Sequence, residues 1–92
     1  MRSEDERALM AQDISKAIWE FPKNHPKYQE KVRDLYVARS VIYYGLEEDD
    51  LDGLESLSEF KGFDRDFVIQ AIEWLEGNNS ARSKILGTIE TH

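Results

Sequence analysis

The chain has no cysteine. That excludes disulfides, thiol nucleophiles and thiolate metal sites, and it fits a reducing compartment. Histidine is almost as scarce: His25 and His92 are the only two. Neither stands at a recognisable spacing from a serine nucleophile and an acid, so both are read as solvent-exposed. Carboxylates suited to acid/base work occur in pairs here through composition alone. The five glycines, at positions 45, 53, 62, 77 and 87, are scattered, and no glycine-rich phosphate loop exists. The chain is therefore read as non-enzymatic, without a cofactor. No apolar run approaches the ~20 residues needed to cross a bilayer, so no membrane partner is expected. Arg2 leads into Ser3-Glu4-Asp5-Glu6, which lacks the apolar core of a signal peptide; the expected location is cytoplasmic.

Ninety-two residues suit one helical domain over 1–92. A chain of this size buries roughly two-thirds of its unfolded surface, enough for one modest core but not for a deep substrate cleft. Ten aromatics and 40% apolar residues argue against disorder, although 34% of residues are charged.

Charge is unevenly placed. Residues 1–46 hold eight Lys/Arg and seven Asp/Glu, whereas residues 47–76 hold eleven Asp/Glu against Lys61 and Arg65. The second stretch thus carries −9, more than the whole net charge of −7. Concentrated like charge repels itself in a compact state. A cationic partner, a metal ion or solubility would each give it a use.

The patterning predicts an all-α fold, a single compact bundle of four to five short helices. Ser3 before three acids marks an N-cap, and Glu6 stands at capping-box spacing. Met10, Ile14, Ile18 and Phe21 form a stripe flanked by Ala11 and Ala17, and Pro22 stops the helix. Lys23-Asn24-His25-Pro26 reads as a tight connection. A second helix is expected from near Pro26 to Gly45, with Val32, Leu35, Ala38, Ile42 and Leu46 on its stripe. Strand-forming residues at 35–44 have no partner strand, so helix is preferred. Leu51, Leu54, Leu57 and Phe60 recur every three residues, as in a short helix or 3₁₀ turn with an apolar edge on the core, and Gly62 is the expected stop. Asp64 caps a further helix whose buried side carries Phe67, Val68, Ala71, Ile72, Trp74 and Leu75. Gly77-Asn78-Asn79 ends it. Ser80 starts a last helix with Ala81, Ile85, Leu86 and Ile89, and the tail to His92 is expected to fray.

Two local resemblances fall in the acidic half. Glu48, Asp50, Asp52, Gly53, Ser56 and Glu59 follow a spacing that resembles the twelve-residue EF-hand loop. Calcium takes six to eight oxygens, and such loops use a glycine for the turn and a distal Glu as a two-oxygen ligand. The resemblance implies calcium at Asp50, Asp52 and Glu59. It departs at Glu48, where Asp is usual, and at Glu55, where an aliphatic residue is usual. Separately, Leu54-Glu55, Leu57, Phe60-Lys61-Gly62-Phe63-Asp64, Val68-Ile69 and Ala71-Ile72 resemble a ubiquitin-associated domain, over residues 54–88. That implies a three-helix protein-interaction module with Lys61-Gly62-Phe63 as its loop and Ile85-Leu86 as its last apolar pair. Lys61 departs from the apolar residue expected there.

Direct nucleic-acid binding is not expected. A recognition helix starting at Asp64 would present Asp66, Glu73 and Glu76 to phosphates, with only Arg65 to help. The inverse fits better. Carboxylates spaced along helices approximate a row of phosphates and suit the cationic groove of a nucleic-acid-binding protein. Small acidic helical proteins of phages and mobile elements that inhibit restriction or CRISPR complexes are similar at the level of class. The residues read as partner-binding are Glu47, Glu48, Asp49, Asp50, Asp52, Glu55 and Glu59, the partner is a basic protein surface, and a homodimer is left open. Among Trp19, Tyr28, Tyr36, Tyr43, Tyr44 and Trp74, most are expected at the core or its edge, with one or two free to anchor a partner.

Overall fold

The computed structural model describes residues 3–57, 60–76 and 81–87, except for the side chains of Glu48, Leu75, Glu76, Ala81 and Arg82. Among these residues the structure is all-α. The elements are α1 (Glu4–Glu20), α2 (Tyr28–Tyr44), a 3₁₀ turn (Glu48–Asp50) that runs into α3 (Leu51–Glu55), α4 (Arg65–Glu76) and α5 (Ala81–Gly87). The Cα radius of gyration is 12.5 Å, close to the ~12 Å expected of a globular chain this long.

Local chemistry sets the helix ends. The Ser3 hydroxyl accepts a hydrogen bond from the Glu6 N–H at 3.1 Å, so the serine half of the capping box is made. α1 ends at Phe21, whose backbone turns extended before Pro22. α2 starts two residues later than the sequence suggests. The His25 carbonyl accepts the Tyr28 N–H at 3.0 Å, and the His25 ring nitrogen Nδ1 accepts the Lys27 N–H at 3.0 Å. These bonds turn the chain at Pro26 before the helix can begin. His25 is also half-buried rather than solvent-exposed; its ring lies edge-on to Phe21 at 5.3 Å.

α2 closes on Gly45 at φ 65°, which donates to Ile42 and Val41, and the Leu46 N–H reaches the Val41 carbonyl at 2.9 Å. This closure needs the left-handed conformation that glycine adopts without penalty. A Cβ on Gly45 would stand 2.6 Å from Arg7 Nη1. Gly62, at φ 77°, turns the chain ahead of α4, and the Asp64 carboxylate caps α4 by accepting the Phe67 N–H at 3.2 Å. The expected signals at Gly77-Asn78-Asn79, Ser80 and Ile89, and the tail to His92, lie outside the described residues.

α1 packs chiefly on α2; α5 covers α1, and α4 covers α2 and touches α5. The core comprises Ile14, Ala17, Ile18 and Phe21 of the first helical arm, and Leu35, Val37, Ala38, Val41 and Ile42 of α2. Leu51, Phe63, Val68, Ala71 and Ile85 complete it. The buried face of α2 is wider than its predicted stripe, because α1 and α4 flank it on different sides. In α4, Val68 and Ala71 are buried, while Phe67, Ile72 and Trp74 are half-buried.

The aromatics depart from expectation. Tyr28 and Trp74 sit at the core edge, but Trp19 is 82% exposed, and Tyr36, Tyr43 and Tyr44 are exposed as well. α2 has an outward face that no other helix covers, and Trp19 lies on the outer side of α1.

Candidate functional site

The acidic edge starts where Gly45 turns the chain away from α2. Leu46 is half-buried, and Glu47 emerges exposed. Asp50 then folds its carboxylate back to accept the Glu47 N–H at 2.8 Å, which starts the 3₁₀ turn. Leu51, 1% exposed, pins this turn to the core. α3 ends within two turns: the Ser56 hydroxyl and N–H both bond the Gly53 carbonyl, at 2.6 and 3.2 Å. The apolar edge expected at Leu51, Leu54, Leu57 and Phe60 is therefore only partly inward. Leu54 and Phe60 are half-buried, and Leu57 is 48% exposed.

Glu47, Asp49, Asp50, Asp52 and Glu55 are all exposed. The Glu48 side chain and Glu59 lie outside the described residues. Asp49, Asp52 and Glu55 recur at steps of three and follow one edge of the turn and helix. Two of these acids are engaged within the chain: Asp50 at the Glu47 amide, and Asp52 with the Arg65 guanidinium. The Asp52 side chain is 79% exposed, so water screens that pair heavily. Among the described residues no hydrogen bond or ion pair ties the carboxylates of Glu47, Asp49 or Glu55.

Residues 48–55 are helical, and Gly53 lies inside α3 without a positive φ. An EF-hand loop instead wraps its oxygens around a sharp glycine turn. Among the described residues no group of three or more His, Asp or Glu side chains stands where it could hold a metal ion. For the ubiquitin-associated resemblance, Gly62 does make the turn and Phe63 is buried. Ile85, however, is 0% exposed and belongs to the core shared with α1 and α2. It faces inward rather than toward a partner.

One buried charge escaped the sequence reading. Asp34 is 2% exposed, and its Oδ1 accepts the Asp64 N–H at 3.0 Å and the Arg33 Nη2 at 3.2 Å. Arg33 Nη1 in turn donates to the Lys61 carbonyl at 3.4 Å. The middle of α2 is thereby fastened to the turn that caps α4. Burial pushes the Asp34 carboxyl above the ordinary carboxylate range, against the pull of the Asp64 amide and of Arg33. The available signal was helical spacing: Asp34 shares the inward side with Ala38 and Val41, at i+4 and i+7. Arg7 also went unremarked. Its Nη1 donates to the Tyr43 carbonyl at 3.3 Å, near the end of a helix with no basic residue in its last turn.

Comparison with protein-family profiles, curated protein sequences and solved structures finds no match to the chain. Among the described residues no helix is long and apolar enough to cross a membrane.

Proposed function

We propose that the chain is a non-enzymatic binding module that presents its acidic edge to a basic protein surface. It would act as a small regulator or inhibitor occupying the cationic groove of a nucleic-acid-binding protein. One observation supports this reading: among the described residues the carboxylates of Glu47, Asp49 and Glu55 are exposed and unpaired, on or just before a short helical ledge anchored by Leu51. Fixed carboxylates on a helical rise offer a spaced row of negative charge, as a phosphate backbone does. Exposed Asp66 and Glu73 on α4 add to the negative potential and disfavour phosphate as the ligand. Electrostatic steering speeds encounter with a cationic surface and weakens as salt shortens the Debye length below ~8 Å.

The test is a triple charge reversal, Glu47→Lys, Asp49→Lys and Glu55→Lys. It spares Asp50 and Asp52, which have structural bonds. Affinity purification with wild type and variant at low and high salt, read by mass spectrometry, should recover basic proteins. Those proteins should be lost from the variant and at high salt while helical circular dichroism is unchanged. Partners that survive both changes would overturn the reading.

A further inference from the structure

The outward face of α2 has a chemistry opposite to that of the acidic edge. An open groove of roughly 480 Å³ runs along it, lined by Tyr28, Gln29, Val32, Arg33, Tyr36 and Phe60. None of these lining residues, among the described ones, is a carboxylate. Val32, Tyr36 and Tyr43 follow at i, i+4 and i+11, so the apolar stripe extends past the groove along the same side of the helix. Tyr36 is 43% and Tyr43 49% exposed. Cations stand at the rim. Arg33 reaches the Lys61 carbonyl, which places the 60–61 turn beside the groove, and the Lys61 side chain is exposed with no hydrogen bond or ion pair to the described residues.

Next to this groove lies its complement. The Phe60 N–H donates to the Leu57 carbonyl at 3.0 Å, so exposed Leu57 is one turn from the groove wall. Glu55, exposed and unpaired, comes two residues earlier. An apolar groove with cations at its rim thus adjoins an apolar knob with a carboxylate. Two such halves side by side meet the requirement of a two-fold interface, where residue i of one copy meets residue j of the other and the reverse.

We propose that this face is the interface of a symmetric homodimer. Leu57 of each copy enters the other's groove against Val32, Tyr36 and Phe60, and Glu55 of each copy meets Lys61 of the other. A second copy is favoured over nucleic acid because the groove floor is apolar and, among the described residues, Arg33 is the cation that lines it and Lys61 stands at its rim, too few to track a phosphate backbone. The net charge of −7 on each copy opposes association at long range, and physiological salt, with a Debye length of ~8 Å, screens it.

The experiment is sedimentation equilibrium in physiological salt, from ~1 μM to ~1 mM protein. The expected result is a concentration-dependent rise from the 10.8 kDa chain toward twice that mass. Tyr36→Asp and Lys61→Glu each weaken the dimer at least about tenfold. Glu55→Lys alone does the same, and combining it with Lys61→Glu restores association. All these side chains are exposed, so helical circular dichroism should stay unchanged. A monomer across the whole range overturns the proposal. So does a dimer indifferent to Tyr36→Asp, or a charge-swapped double variant as weak as the singles. Lys61→Glu leaves Glu47, Asp49 and Glu55 in place, so loss of the dimer is separable from loss of a cationic partner.

Discussion

α1 and α2 bury Ile14, Leu35, Val37 and Ala38 completely between them and their neighbours, whereas among the described side chains of residues 47–57 Leu51 alone is fully buried. The helical pair is held by interlocking contacts along 17-residue helices. The acidic segment is anchored by Leu51, with half-buried Leu54 against the core beside it, and is kept in shape by its own hydrogen bonds, the Glu47 amide to Asp50 and the Ser56 hydroxyl to the Gly53 carbonyl. Stability and surface chemistry are therefore carried by different parts of the chain. Repelling carboxylates are tolerable at the edge because little of the core depends on it.

The difference is open to direct attack. Leu35→Ala should lower unfolding free energy by about 2–5 kcal/mol, since it leaves a cavity at the centre of the packing. Leu57→Ala should change it by less than about 0.5 kcal/mol; urea titrations of the two variants decide the contrast. Leu51→Ala should cost about 2 kcal/mol, the low end for a buried leucine. Its signature in hydrogen exchange is selective: amides of residues 48–55 lose protection while those of α1 and α2 keep it. Equal loss everywhere would mean that the edge is part of the main cooperative unit.

Gly45→Ala sits at the boundary between the two regions. Holding a side chain in the left-handed region costs about 1–2 kcal/mol, and the new methyl meets the Arg7 guanidinium. Thermal melting should register the loss, and Arg7→Ala in the same chain should relieve only the clash.

Asp34 gives the smallest effect and the most informative one. Its folded-state pKa lies above that of the unfolded chain because of burial. Its stabilising contribution is therefore complete below the unfolded value and is lost as pH rises through the folded one. Asp34→Asn keeps an acceptor for the Asp64 amide without a charge to desolvate. At neutral pH the variant should be at least as stable as wild type, and the advantage should vanish in acid, in melts run across the carboxylate range. A wild type that gains stability over that same rise, relative to the variant, contradicts this assignment.

Much of the fold was legible from its punctuation. Ser3, Pro22, Gly45 and Asp64 act locally, through caps and backbone preferences, and each marks the boundary it was read to mark; Gly62 does not, because α3 already ends at Glu55 and Gly62 turns the chain ahead of α4. The exposure of the acids was legible too, since hydration of charge outweighs most packing at a surface. What could not be read depends on partners distant in sequence. Asp34 is buried because Arg33 and an amide thirty residues away meet it. The start of α2 moved because the His25 ring and carbonyl took amides that the helix would have used. Leu57 and three of the tyrosines are exposed because no other element among the described residues covers them, which periodicity alone does not reveal.

Arg7 binds the closing turn of α2 from the opening turn of α1, a cation supplied by one helix to the negative pole of another. Ser3 and Gly45 cap the two termini locally, and Arg7 adds a tie between them. Fraying at the beginning of the chain would withdraw that cation from the Tyr43 carbonyl, and a peptide cut to α2 alone would lack it.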